Sequence, residues 1–258
     1  MFDQEQLLAA SKWELAADLV ADEGFRQSTK ALTRAAALRM SRTTLGDARI
    51  ETDDEEFVRS HTYAWAEFVT NLGHWQRIDM DLQLPRSERV FIAGWHFPEL
   101  PKVFSSLRRI RALLLVSQDA PWFQPFKQHG QTLDIFSKNA SNILTGSMKS
   151  GAIVAAVLDH HHVNTRHEIS TLLGRSVKTP SGILELCARF DYLLAFVGPR
   201  DDAVKVVQQI DTRGLSAAYL AQQYNRWLEA EIRRAPERWL MWQALPVGLA
   251  SAESREVS

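Results

Sequence analysis

The chain has 258 residues, 45% of them apolar and 24% charged, which suits one large α/β domain with a small helical appendage and excludes wholesale disorder. Its 30 basic residues against 31 acidic ones leave a formal net charge of -1, so the chain as a whole carries no signature of nucleic-acid binding. The single cysteine, Cys187, rules out an intramolecular disulfide and a cysteine-built metal site, and it fits a reducing compartment.

In chain order, residues 5–40 read as helices, with Leu7, Leu8, Trp13, Leu15, Ala16, Leu19 and Val20 recurring near the helical period. Residues 41–56 are polar and read as a loop, whose acidic run Asp53 to Glu56 favours the start of a helix over about Phe57 to Asn71. Beyond Pro85 the pattern changes. Arg89–Gly94, Arg111–Val116, Ala152–Leu158 and Tyr192–Val197 are short strand-like runs. Between them lie helical segments around Val103–Ile110, over Ile135–Lys149 and over Thr179–Phe190, with Gly151 a stop signal and Pro180 near a first turn. Ser216–Ala235 is a further helix, broken at Pro236. Strands alternating with helices predict a mixed central sheet flanked by helices. The expected division is a helical segment over 1–50, an α/β domain over 51–246 and a flexible tail over 247–258.

No apolar run approaches the roughly 20 residues that cross a bilayer. Met1 to Gln6 is acidic where a secretory signal would be basic, so the expected location is cytoplasmic, with contact at the inner membrane face at most. The 8 tryptophans and 12 phenylalanines imply wide apolar surfaces that must pack.

Two groups of residues carry candidate chemistry. His96-Phe97-Pro98-Glu99 follows a strand and precedes a helix, and ligands of open α/β sheets bind beyond the carboxyl ends of strands. A histidine there can take a proton from a hydroxyl, and a carboxylate one turn away, Glu99, can orient the ring; the alternative is a strand-end histidine beside a capping glutamate. Asp159-His160-His161-His162 has the composition of a metal site. Consecutive strand residues point to opposite faces, which favours a plain polar loop instead. Cys187 falls within an apolar helical pattern and reads as core, and Ser181 lacks the preceding glycine of a nucleophile elbow. Arg108, Arg109, Arg111, Arg233 and Arg234 form basic clusters that read as solvated faces or as ground for phosphate or an acidic carrier.

Three blocks in order resemble the bacterial lipid A biosynthesis (lauroyl/myristoyl) acyltransferases, within the wider lysophospholipid-acyltransferase-like group. The first is Phe91-Ile92-Ala93-Gly94-Trp95-His96-Phe97-Pro98-Glu99-Leu100. The second is Met148-Lys149-Ser150-Gly151-Ala152-Ile153-Val154 through Asp159, then Leu173-Gly174-Arg175 through Thr179-Pro180-Ser181-Gly182. The third runs from Tyr224 to Trp242 and contains Pro236-Glu237-Arg238-Trp239. The likeness spans about residues 55–245. It implies a mixed α/β sheet and transfer of a fatty acyl group from an acyl-carrier-protein or coenzyme A thioester to the hydroxyl of a glycolipid, lipid or carrier-bound acceptor. It implies that His96 deprotonates that hydroxyl for direct attack on the thioester, with Glu99 as its acid, and that Lys149, Asp159, Arg175 and Thr179 bind substrate. Neither a resident cofactor nor a metal is implied. The family places its acid five residues after the histidine, where this chain has Pro101. The second reading is a catalytically degenerate member that binds an acyl chain or a partner in a biosynthetic complex.

Overall fold

The computed structural model describes residues 54–117, 123–160, 165–201 and 203–241. The helices expected over 5–40, the tail expected over 247–258, His161, His162 and Trp242 lie outside the described residues.

A long helix, α1 (Asp54–His74), starts within the acidic run and extends the expected helix at both ends. The chain then enters β1 (Val90–Gly94), passes through a 3-10 turn (Leu100–Val103) and α2 (Phe104–Arg109), and forms β2 (Leu113–Val116). A short α3 (Gln124–Lys127), β3 (Thr132–Asp134), α4 (Ala140–Lys149) and β4 (Val154–Val157) follow. Next come a hairpin of β5 (His167–Leu172) and β6 (Arg175–Pro180), then α5 (Gly182–Arg189), β7 (Leu193–Arg200), β8 (Ala203–Asp211) and α6 (Ala217–Arg234), with a last 3-10 turn at Pro236–Arg238.

Six strands form one sheet in the order β3-β2-β4-β1-β7-β8. All neighbours are parallel except β7 and β8. The sheet is therefore mixed and flanked by helices, as the alternation of strands and helices predicts. Every residue of β1 is buried, which suits a central parallel strand covered on both faces and explains the uninterrupted run Val90-Phe91-Ile92-Ala93-Gly94.

Five stretches depart from expectation. Residues 132–134 and 203–211 form strands that the sequence pattern did not signal. Thr179 and Pro180 finish β6 instead of starting a helix, so α5 begins at Gly182. The helix expected from Ile135 begins at Ala140. Finally, β5 and β6 meet in a two-residue turn, Leu173-Gly174, with both residues left-handed at φ 52° and 70°. That is the turn whose twist matches an antiparallel hairpin. Leucine tolerates it because its side chain is buried and its N–H donates to the Glu229 carboxylate at 2.8 Å.

The aromatic excess packs inside. Trp75 stacks on Phe126 with centroids 5.2 Å apart and meets Phe104 edge-on. Trp227 stacks on Phe196 at 4.7 Å, tying α6 to β7. α6 also lies along β5, where the Gln222 side chain accepts from Thr171 N–H and donates to Thr171 C=O. Those two bonds satisfy an otherwise open strand edge. Among the described residues, no helix is long and apolar enough to cross a membrane.

Candidate active site

β1 and β4 are parallel neighbours with Gly94 opposite Val157. The ladder continues one step past the strands, where Leu158 N–H donates to Gly94 C=O at 3.3 Å. One more step brings His96 opposite Asp159. The chain leaves β1 toward β2 on one side and leaves β4 by way of the hairpin and α5 toward β7 on the other. The connection from β1 passes over β4 and the one from β4 passes over β1, so the two leave in opposite directions, and His96 and Asp159 sit at the carboxyl ends where ligands of open α/β sheets bind.

The Nδ1–H of His96 donates to Asp159 Oδ1 at 2.7 Å. Asp159 Oδ2 accepts from the His96 backbone N–H at 2.9 Å and from the Trp239 indole N–H at 3.0 Å. The carboxylate is thus held at both oxygens. The Asp159 side chain is fully buried, while that of His96 is 25% exposed. With Nδ1 committed to Asp159, the neutral ring carries its lone pair on Nε2, which has no hydrogen-bond partner among the described residues.

Burial alone would push the His96 pKa down. The negative charge of Asp159 and the hydrogen bond to it outweigh burial, and the pKa rises above the ordinary 6.5. Burial likewise works to raise the Asp159 pKa, but the charge of His96, the bonds from its ring and backbone and the Trp239 N–H hold it below the usual carboxylate value. The pair is a neutral or protonated imidazole facing a permanent carboxylate, the arrangement of a general base with its orienting acid.

The surrounding frame is built from α1 and the turn after α6. Leu240 N–H donates to His96 C=O at 3.0 Å. Arg238 pairs with Glu99 and, at 3.3 Å, with Glu67 of α1. The His61 ring donates from Nδ1 to Glu237 C=O at 2.8 Å, and Asn71 donates to Pro98 C=O at 2.8 Å. From α6, the Tyr224 hydroxyl donates to Gly94 C=O at 2.9 Å, two residues before His96.

No family model matches the chain, and no curated protein matches it.

The residues singled out from sequence fall in different places. His96 lies just beyond the carboxyl end of β1. The carboxylate that meets its ring is not Glu99, the one expected from closeness in sequence, but Asp159, which was expected to bind substrate. The tight turn Phe97–Leu100, closed by Leu100 N–H to Phe97 C=O at 3.0 Å, carries Glu99 over to Arg238. Lys149 ends α4 and is exposed. Because α4 leads into the amino end of β4, the length of that strand lies between Lys149 and Asp159, and the structure does not bring the two together. Arg175 sits at the hairpin turn and Thr179 is buried in the hairpin; neither is among the partners of His96 or Asp159. The Thr179 hydroxyl is engaged with Ser170 at 2.7 Å and with the Asn225 amide at 2.8 Å, all three residues buried, so it holds the hairpin to α6 and is not open to substrate.

A residue at this pair that the candidate set from sequence does not include is Trp239, whose indole N–H meets Asp159. Its position in Pro-Glu-x-Trp was the available signal. Among the described residues no group of three or more His, Cys, Asp or Glu side chains gathers around a common metal position.

Proposed function

We propose that this chain is an O-acyltransferase that moves a fatty acyl group from an acyl-carrier-protein or coenzyme A thioester to a hydroxyl, with His96 as general base and Asp159 as the acid that orients it. The observation that carries this reading is the His96–Asp159 pair just beyond the carboxyl ends of β1 and β4, with the ring partly exposed and its Nε2 without a hydrogen-bond partner among the described residues. The three sequence blocks supply the substrate class.

In the proposed reaction Nε2 takes the proton of the acceptor hydroxyl. The oxygen attacks the thioester carbonyl and forms a tetrahedral oxyanion. Collapse forms the ester, breaks the carbon–sulfur bond and releases the thiolate, which recovers the proton from the imidazolium. The positive ring formed in the middle of this sequence faces the buried Asp159 carboxylate, which stabilises it as the charge develops. No serine or cysteine nucleophile is called for: Cys187 is buried and burial pushes its thiol pKa well up, away from a reactive thiolate.

The test is acyl transfer from lauroyl-acyl-carrier protein and from lauroyl-coenzyme A to a panel of glycolipid, glycerolipid and carrier-bound hydroxyl acceptors. His96→Ala should lower the rate by about 100- to 10,000-fold. A rate near that of the unaltered protein overturns the assignment. The second reading is an acyl-binding or partner-binding protein without turnover. Turnover that disappears in His96→Ala excludes it. Contact with a membrane surface belongs to the same proposal and is read from co-sedimentation with anionic vesicles.

A further inference from the structure

We infer that Trp239 is a positioning residue for His96 that acts through Asp159: its indole N–H fixes the rotation of the carboxylate, and the carboxylate fixes the proton of the imidazole on Nδ1. The inference rests on the reading of His96 as the base.

Three observations lead to it. First, the two oxygens of Asp159 have separate duties. Oδ2 accepts from the His96 backbone and from Trp239, which leaves Oδ1 for the ring. A carboxylate held at one oxygen by two donors on different elements cannot rotate, so Oδ1 stays in line with Nδ1. Second, the indole N–H of Trp239 is used where others are not. Trp95 and Trp227 are also buried, yet their N–H groups find no hydrogen-bond partner among the described residues. Those two rings pack against Phe97 and Phe196, whereas Trp239 directs its donor at the carboxylate of the pair. Third, Trp239 is itself gripped on both sides. Leu240 binds the His96 carbonyl, Arg238 binds Glu99 and Glu67, and the Glu237 carbonyl accepts from His61. Residues 237–240 therefore form a clasp in which each residue holds a different part of the site.

The chemical consequence concerns the tautomer. A general base at this place needs its lone pair on Nε2. If the carboxylate turns away from Nδ1, the ring gains no advantage from carrying its proton there. A fraction of the protein then holds the proton on Nε2 and cannot accept one.

Nitrogen-15 NMR of the imidazole rings tests this without substrate, with the His96 signals identified by their loss in His96→Gln. The unaltered protein should show the neutral His96 ring as the Nδ1–H tautomer. Trp239→Phe should give a mixture of both tautomers and move the His96 titration midpoint by at least a few tenths of a pH unit. In an Asp159→Asn background the same Trp239 change should add nothing, because its route to the ring has been removed. A merely structural tryptophan would lower the melting temperature and leave the tautomer of the folded protein as it was. If Trp239→Phe does not fold, benzothienylalanine placed at 239 by nonsense suppression keeps the ring volume and removes only the N–H. An unchanged tautomer and midpoint overturns the inference, as does an equal effect in the Asp159→Asn background or failure of both variants to fold. The readout stands apart from acyl transfer: a fixed tautomer without turnover would sink the proposed function and leave the role of Trp239 intact.

Discussion

His96 and Asp159 are 63 residues apart in the chain and 2.7 Å apart at Nδ1 and Oδ1. The contact is the parallel ladder of β1 and β4 carried two residues past its last pair, Gly94 and Val157.

The pH dependence of the pair follows from its charges. A raised His96 pKa means that the ring becomes a base only above the ordinary 6.5. The acid limb of kcat/KM should therefore have a midpoint above 6.5, measured against lauroyl-coenzyme A. Asp159→Asn removes the charge that raises the pKa while the burial that lowers it stays, so the midpoint should move down. The rate should fall by roughly 100- to 10,000-fold, since the ring loses its fixed tautomer and its counter-charge. For stability the directions are opposite. The part that rests on charged His96 is present below its unfolded value and is lost as pH rises through the raised value. The part that rests on ionised Asp159 is present above the unfolded carboxylate value and is lost as pH falls through the lowered one. A melting-temperature series in pH should show both slopes, and both should flatten in Asp159→Asn.

Glu99 should behave as a structural residue. It is mostly buried and ion-paired with Arg238, which also reaches Glu67. Glu99→Gln removes the charge at one end of that bridge, and the expected cost is about 1–3 kcal/mol from denaturant unfolding. Acyl transfer per folded molecule should drop far less than in Asp159→Asn. An equal drop in the two variants would return Glu99 to the chemistry.

The buried trio of Ser170, Thr179 and Asn225 should matter to folding and not to turnover. Asn225 donates to both hydroxyls, at 2.7 and 2.8 Å, and thereby ties β5 and β6 to α6. Asn225→Ala leaves both hydroxyls without that donor in a dry setting, at a cost of about 1–3 kcal/mol. Thermal unfolding reads it. Loss of acyl transfer at temperatures where the variant is fully folded would show that Thr179 does more than hold the hairpin.

The strands of the sheet show where periodicity succeeds and where it fails. β1, β4 and β7 announce themselves as apolar runs because they are the interior strands around the parallel β4–β1–β7 centre of the sheet, where most of their residues are buried. β8 does not, although it is nine residues long. Its pairing slips between Phe196 and Val197, which face Gln208 and Val206, so Val207 is the extra residue of a bulge. That one residue breaks the alternation by which an edge strand would be read. At the β5–β6 hairpin, Thr179 and Pro180 look like a helix start, yet the ladder to Glu168 and His167 keeps them extended.

The sequence by itself determined what stands at each strand end: a histidine two residues after β1 and an aspartate two residues after β4, each placed by a local run of apolar residues that needs no partner to be legible. Tertiary structure decided which carboxylate meets the histidine. Glu99 is three residues away, but a tight turn directs it to Arg238; Asp159 is far along the chain, but the register of two parallel strands sets it opposite. The same holds for Trp239, whose N–H reaches Asp159 only because α6 crosses the molecule and returns the chain to the carboxyl end of the sheet. Strand register and helix path are settled by the packing of the whole core, and no local window of residues contains them.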